Sequence, residues 1–268
     1  MKSVKQAGFL SLTHTLWRLP SFKRSGIFIM AYNLCQTARL FEREELDLII
    51  ASTKENCRYF AGFSPVVKTL NPYHGQSYVL LHRDDPGAVS VVHSMGEIDQ
   101  VLDADAPLRH IETYGVFYRE YGGIADLTAE ERKLQVYSSL GASVNSPSEA
   151  LTLLIKKLRC ESPVHRIGYD EDGMPAQTLH ALQQALPGVA WVAVSSAIRH
   201  TRRYKTGSEV NSLMQSARIN EAAVHEAVKG VKPGTSEADV SAWFNQALVK
   251  QGAFPSLTMI KAGRDRKS

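Results

Sequence analysis

The segment Leu46-Asp-Leu-Ile-Ile-Ala-Ser52 is followed by Asn56-Cys-Arg-Tyr-Phe-Ala-Gly62, and these two stretches decide how the chain is interpreted. The first is rich in branched aliphatic residues, which predicts a buried β-strand. A short helix or turn over Glu55–Gly62 follows it. Outward from this pair, strands and helices alternate from about residue 33 to residue 195. Such alternation predicts an α/β unit.

A hairpin and several amphipathic segments make up the rest of this unit. The hairpin joins Ser77–His82 to Ala88–His93 through Arg83–Gly87, since Pro and Gly in that joint supply turn dihedrals. Thr128-Ala-Glu-Glu131 has the spacing of a capping box and predicts the start of a helix. The other predicted elements are helices over 33–45, Gly96–Ala104, Pro147–Leu158 and Pro175–Leu186, and strands over His110–Tyr114, Arg166–Tyr169 and Val189–Val194.

The pattern changes after residue 198. A polar, basic joint over Arg199–Lys205 is interpreted as an interdomain linker, and Thr206-Gly-Ser-Glu209 then forms a second capping box. A long amphipathic helix runs to about Lys229, a second helix is capped by Thr235, and a strand is expected over Leu257–Ile260. Two helices and one strand cannot close a core of their own, so this second unit is expected to be incomplete.

Composition and charge describe an ordinary globular protein with two basic ends. The 268 residues are 44% hydrophobic and 22% charged, with a net charge of +4. Residues 1–41 carry +6 and no acidic residue, residues 261–268 carry +3, and the region between them sums to −5. A nucleic-acid-binding domain would place its basic stripe inside the folded unit, so we expect no nucleic-acid partner. Residues 1–32 are expected to form a disordered basic extension.

Cysteine usage and hydropathy bear on the compartment. Cys35, Cys57 and Cys160 form no CxxC pair, and an odd, sparse set of cysteines is typical of reduced thiols. No apolar run approaches the roughly 18 residues needed to span a bilayer, so we expect no membrane partner. The expected location is cytoplasmic.

The usual catalytic signatures are missing from the sequence. It contains no Gly-x-Ser-x-Gly, no Gly-x-Gly-x-x-Gly, no phosphate-binding loop and no His-Glu-x-x-His. No two of the nine histidines lie three or four positions apart, which excludes a helical metal clamp. We interpret His82 and His93 as half-exposed residues at strand ends. Nothing in these patterns identifies a catalytic, substrate-binding or metal-binding residue.

Three further groups of residues have a possible chemical role and a plainer structural one, which we favour. Cys57 is interpreted as a small buried thiol rather than a nucleophile. Asp170, Glu171 and Asp172 lack the ligand spacing of a calcium loop and are interpreted as a solvated turn. The basic cluster Arg199–Lys205 is interpreted as solvated linker charge rather than an anion site.

The second unit and the segment after the first strand together resemble a known superfamily. Three segments resemble the start of the catalytic domain of the creatinase / aminopeptidase P / prolidase superfamily: Arg203-Tyr-Lys-Thr-x-x-Glu209-Val, Met214-x-x-Ala217 and Val231-x-Pro-Gly-Thr-x-Glu237. The segment Asn56-x-x-Tyr59-Phe-x-Gly62-Phe63 resembles a motif of that superfamily's amino-terminal domain. The motifs occur in the family's order and cover about residues 33–263.

The resemblance implies a fold, a reaction and a cofactor. It implies a creatinase-type α/β amino-terminal domain with a central mixed sheet over 33–198, and a linker with the truncated start of an α+β pita-bread domain over 199–268. Full-length members are implied to hold two divalent metals (Mn, Co or Zn) on two Asp, one His and two Glu, and to hydrolyse Xaa-Pro peptides. In the family, all five ligands follow the segment that matches Phe254–Gly263. The resemblance therefore implies no catalytic residue and no metal-binding residue in this chain.

Three functional hypotheses follow. The first is a fragment of an Xaa-Pro aminopeptidase/prolidase-like hydrolase that is inactive alone and would form a homodimer if completed. The second is a non-catalytic dimerisation or regulatory protein, with the Tyr- and Gly-rich loop over 115–127 as a contact. The third is a small-molecule binding module that uses the α/β domain alone.

Overall fold

The computed structural model describes residues 32–72, 74–104, 106–117, 127–139 and 143–261. The predicted basic extension lies outside these residues except for Tyr32. Most of the loop over 115–127 and the tail over 262–268 also lie outside them.

A seven-stranded mixed sheet forms the centre of the first unit, in the order β5-β4-β3-β2-β1-β6-β7. Strand β2 pairs antiparallel with both of its neighbours, and the other neighbouring strands pair in parallel. The strands are β1 (Leu48–Ala51), β2 (Tyr78–His82), β3 (Asp85–Ser94), β4 (Leu108–Tyr114), β5 (Ser143–Val144), β6 (Arg166–Tyr169) and β7 (Ala190–Ala193).

Strand β1 lies inside the sheet, and its register explains its continuous aliphatic sequence. Ile50 pairs with Leu80 of β2 on one side and with Tyr169 of β6 on the other. All four residues of β1 are buried. A strand covered on both faces is apolar along its whole length rather than alternating, which the sequence pattern had indicated.

Helices cover both faces of this sheet. One hydrophobic core contains residues of α1 (Leu34–Arg43), α2 (Lys54–Ala61), α4 (Ile98–Leu102) and α8 (Ser195–Thr201). The opposite core contains residues of α6 (Pro147–Glu161) and α7 (Ala176–Ala185). The short helix α3 (Val66–Leu70), a 3₁₀ turn over Met95–Glu97 and α5 (Ala129–Ser138) complete the unit. The prediction of an α/β domain around a mixed sheet is confirmed.

The hairpin forms as predicted, but its turn is shorter than the joint read from the sequence. The turn lies at Arg83 and Asp84, and Pro86 and Gly87 already belong to β3. Proline is tolerated at the start of a strand because its missing N–H does not interrupt the ladder there. The capping box at Thr128 is present with both of its hydrogen bonds.

The second unit consists of two helices, α9 (Gly207–Lys229) and α10 (Glu237–Lys250). The capping box at Thr206 is confirmed. Thr235 was the wrong cap for α10: its hydroxyl accepts a hydrogen bond from the Lys232 amide, and Ser236 caps the helix together with Asp239. A small core joins the two helices, made of Ala223, Ala247 and Leu248 with partly buried neighbours.

Three other expectations for this region differ from what the structure shows. No strand forms over Leu257–Ile260, because no other strand of the described chain lies beside it to pair with. Helix α8 runs through residue 198, so part of the predicted linker is helical. The large apolar side chains that make α9 amphipathic lie on the surface: Val210, Leu213, Met214, Val224 and Val228 are all exposed, Leu213 by 57%. In the described part of the chain, no helix is both long and apolar enough to cross a membrane.

Candidate functional site

The carboxyl ends of the central parallel strands bring distant polar residues together. Ser52 follows β1, Asp170 follows β6 and Ser195 begins the helix after β7. Because β1, β6 and β7 run in the same direction, these ends meet at one edge of the sheet. Open α/β sheets bind their ligands at this edge, so a functional site is expected here.

The centre of this edge is the carboxylate of Asp170, which is 0% exposed. Its Oδ2 atom accepts hydrogen bonds from the Ser52 amide at 3.0 Å, the Thr53 amide at 2.8 Å and Asn56 Nδ2 at 2.7 Å. Its Oδ1 atom accepts one from Ser195 Oγ at 2.7 Å. The solvated turn predicted at Asp170 is therefore wrong, because strand pairing buries this side chain beneath residues more than a hundred positions away.

The same hydrogen bonds decide the charge of Asp170. Burial alone would raise the pKa of the carboxyl group, because it penalises the charged form. The four donors just described outweigh burial and lower the pKa below its ordinary value of 3.8. The carboxylate is thus charged, enclosed and fully used as an acceptor, which suits a structural anchor better than a proton-transfer group.

The neighbouring carboxylates have different roles. Glu171 accepts a hydrogen bond from the Ser195 amide at 2.9 Å, and this contact helps to lower its pKa against the opposing effect of burial. Asp172 forms an ion pair with Arg199, and its amide donates to Ser195 Oγ at 3.1 Å. The three acidic residues therefore tie the end of β6 to the start of α8 and form no shared cation site.

Asn56 links this buried carboxylate to the end of α8. Its Nδ2 donates to Asp170, and its Oδ1 accepts a hydrogen bond from Arg202 Nη1 at 3.0 Å. The guanidinium carbon of Arg202 lies 5.8 Å from the centroid of the Tyr59 ring. The prediction that Arg199–Lys205 carries only solvated charge is thus wrong for Arg202, since helix α8 directs its side chain onto α2.

The two histidines singled out in the sequence are buried at opposite ends of the hairpin, so they are neither half-exposed nor close together. Burial lowers the pKa of His82 more than Asp84 raises it. His93 Nδ1 lies 3.0 Å from Ser77 Oγ, and its Nε2 lies 3.4 Å from Glu97 Oε2. Ser77 and His93 are both fully buried, whereas the side chain of Glu97 is 21% exposed, so the set reaches solvent only through Glu97.

Cys57 and Lys68 are also buried. We call these residues the buried polar layer, together with Asn56, Ser77, His93 and Asp170. Burial raises the pKa of the Cys57 thiol to about 12, so it is a poor nucleophile, and its prediction as a buried thiol is confirmed. Lys68 was missed in the sequence because nothing near it predicts burial. Its Nζ donates to the Gly173 carbonyl at 3.2 Å, and burial lowers its pKa.

The described residues do not fit the metal pair that the resemblance implies. Among them, no group of three or more His, Cys, Asp or Glu side chains is placed to hold a metal ion. The carboxylate of Asp170, which is 0% exposed, already accepts four hydrogen bonds. No step of a metal-dependent reaction can therefore be assigned to these residues.

A surface groove of about 510 Å³ lies between α1 and α8. Arg39 and Arg43 line it from α1, His200 lines it from α8, and Tyr204 lines it from the segment after α8. Its lining residues include no serine or cysteine nucleophile, and the arginine side chains are exposed.

Comparisons with known proteins identify relatives of this chain. The sequence model of the Creatinase/Prolidase N-terminal domain matches residues 35–204. A creatinase from Bacillus sp. (strain B-0618) is 28% identical over 86 residues, which are 32% of this chain and 21% of the creatinase.

Solved structures resemble the fold. An Xaa-Pro dipeptidase from Bacillus anthracis matches with a TM-score of 0.55 and 17% identity, and an X-Pro aminopeptidase from Thermotoga maritima MSB8 with 0.53 and 14%. Each match covers 81% of this chain but only 48% and 49% of the respective solved chains. This chain therefore spans about half the length of these two solved structures.

Proposed function

Because the chain belongs to the creatinase/prolidase amino-terminal domain family, we propose that it is the amino-terminal part of a hydrolase that cleaves Xaa-Pro peptides. In this proposal residues 33–198 form a non-catalytic α/β domain and residues 199–268 lead into the catalytic domain. The substrate class comes from the names of the solved relatives, an Xaa-Pro dipeptidase and an X-Pro aminopeptidase. The complete protein would act on small peptides in the cytoplasm as a homodimer.

The observation that carries this proposal is the extent of the structural likeness. The solved peptidases match 81% of this chain, a larger share than the residues covered by the family's sequence model. The likeness therefore includes residues outside the α/β domain. The exposed apolar side chains of α9 support the same proposal, since such a stripe is stable when further protein covers it.

The buried layer supports a non-catalytic role for the α/β domain. Asp170, Cys57 and His93 are all enclosed, and each is held by hydrogen bonds to neighbouring protein atoms. A catalytic group must reach the reacting atoms of its substrate. In this proposal the catalytic metals and their ligands belong to the part of the complete protein that follows these residues.

An activity assay tests the proposal directly. The purified chain is incubated with Mn²⁺ and an Xaa-Pro dipeptide, with a mock preparation and a chelator-treated sample as controls. We expect no hydrolysis above the mock preparation, because the metal ligands are missing from the described residues. Metal-dependent hydrolysis well above the mock level would contradict the assignment of a non-catalytic part.

The reading frame beyond codon 268 tests the other half of the proposal. A continuing frame that encodes Asp, Asp, His, Glu and Glu along its length would support a peptidase whose catalytic half follows. An immediate stop codon in several independent transcripts would contradict it and favour the alternative below.

The alternative is a non-catalytic protein that uses the α/β domain for dimerisation or regulation. Two exposed apolar residues favour it: Val116, which follows β4, is 80% exposed, and Val136 on α5 is 63% exposed. Sedimentation equilibrium of the chain tests this idea with Val136→Ser and, as a control on α10, the exposed Val249→Ser. A dimer weakened by Val136→Ser alone would support it, and a monomer at all concentrations would contradict it.

A further inference from the structure

The joint between the two units is narrow. Helices α9 and α10 contact each other far more than either contacts any strand or helix of the sheet domain. Helix α8 ends at Thr201 and α9 begins at Gly207, so only a few residues connect them. The direction in which α9 leaves the sheet domain therefore depends on how these connecting residues are held.

Arg202 holds the first part of the joint from one side. Its backbone amide donates to the Ile198 carbonyl at 3.0 Å, which keeps it on the last turn of α8. Its side chain reaches α2, where it donates to Asn56 Oδ1 and lies over the ring of Tyr59. Asn56 is itself rigid, because it is buried and donates to Asp170.

A second contact holds the joint from the other side. Asn33 Nδ2, at the start of α1, donates to the Tyr204 carbonyl at 3.2 Å. The backbone N–H of Asn33 in turn donates to the Tyr59 hydroxyl at 3.1 Å. Tyr59 therefore touches both holding groups, the guanidinium above its ring and the asparagine at its hydroxyl.

We propose that Arg202 is a positioning residue that fixes the direction of α9 relative to the sheet domain through Asn56 and Tyr59. A guanidinium is suited to this role because its planar fork donates to an acceptor while its face stacks on an aromatic ring. A lysine at this position keeps the charge but not the planar geometry. This inference goes beyond the proposed function, since it concerns the joint and needs no peptidase activity.

Distance measurements between spin labels test the inference on the whole chain. Cys160 on α6 is exposed and carries one label, and Ser216→Cys on α9 carries the other. Cys35 is replaced by Ser, and Cys57 stays unlabelled because it is buried. We expect a narrow distance distribution in this parent, a clearly broader one with Arg202→Ala, and an intermediate width with Arg202→Lys.

The neighbouring Arg203→Ala is the matched control, because it removes the same charge from an exposed side chain. Its distribution should equal that of the parent. If Arg202→Ala also leaves the distribution unchanged, Arg202 does not position α9 and the inference is wrong. If Arg203→Ala broadens it equally, charge rather than the Asn56 and Tyr59 contacts is responsible, which also overturns the inference.

Hydrogen exchange separates positioning from general stabilisation. The amides of Arg203 and Tyr204 donate to the carbonyls of His200 and Thr201, so they report on the end of α8. Losing a hydrogen bond to a charged group at this half-buried site should speed their exchange about five- to tenfold. Exchange in β1 and β6 should stay within about twofold of the parent. Equal acceleration in these strands would show that Arg202 stabilises the core instead, and would refute the positioning role.

Discussion

Replacing Asp170 by Ala tests whether the buried carboxylate anchors the sheet edge. The substitution removes the acceptor for two backbone amides, those of Ser52 and Thr53, and for the Asn56 amide group. It also removes the acceptor for the Ser195 hydroxyl, although that hydroxyl can turn to another partner. Asp170 itself is 0% exposed, the hydrogen bonds from Ser52 and Asn56 are buried, and the one from Thr53 is partly buried.

The expected loss of stability follows from these contacts. A buried donor left without an acceptor costs about 1–3 kcal/mol. With two buried donors and the partly buried Thr53 amide, we expect Asp170→Ala to lower the free energy of unfolding by about 4–5 kcal/mol. Asp170→Asn keeps one acceptor oxygen for these donors but loses the charge, so we expect a smaller loss of roughly 2–3 kcal/mol.

Urea unfolding followed by circular dichroism measures both variants. Asp172→Ala is the matched control, because Asp172 lies two positions away and its side chain is 48% exposed in an ion pair with Arg199. An exposed ion pair contributes about 0–1 kcal/mol, so the control should stay within that range. If Asp170→Ala and Asp172→Ala unfold at the same urea concentration with the same slope, Asp170 is not the anchor described above.

Three further predictions test other features. Folding lowers the pKa of Asp170, so its contribution to stability is complete above its ordinary pKa of 3.8 and is lost as the pH falls below that value. In urea unfolding at a series of pH values, Asp170→Asn should therefore reduce the loss of stability at acid pH. An unchanged loss would show that other groups cause it. Gly173→Ala should lower the free energy of unfolding by about 2–3 kcal/mol, because the added Cβ would lie 2.6 Å from the Thr53 amide nitrogen. In the same urea unfolding experiment, Gly207→Ala should be neutral or stabilising, because its Cβ would have nothing within 4 Å. Cys57 should resist a thiol reagent until the protein unfolds, since burial raises its pKa to about 12; counting reacted thiols by mass spectrometry should give only the two exposed cysteines, Cys35 and Cys160, and early reaction at the third would contradict its burial.

Local patterns in the sequence predicted the elements of this fold well. The capping boxes at Thr128 and Thr206 were readable because a cap involves residues only three positions apart. The strand around Ile49 was readable because burial on both faces leaves a continuous aliphatic run. The error at Thr235 was also local: the adjacent Ser236 has an acidic partner three positions on, at Asp239, and that pair forms the cap.

The buried polar layer was not predictable from such patterns. Asp170 looks like a turn residue in the sequence, and its donors come from the residues just after β1, from α2 and from the start of α8. Gly173 is a weak signal that was available, because glycine is the residue that lets another stretch of backbone approach this closely. The role of Arg202 was hidden for the same reason, since its partner Asn56 is 146 positions away in the chain.

The pairing of β1 with β6 has a consequence for the route by which the chain folds. Ser52 and Asp170, at the ends of these strands, are 118 positions apart, whereas β2 and β3 are joined by a two-residue turn. Closing a long loop costs more chain entropy than closing a short one, and distant contacts slow folding. We therefore expect the hairpin to form early and the contacts of Asp170 to form late, as the event that joins β6 to β1 and so to the strands that precede it in the chain.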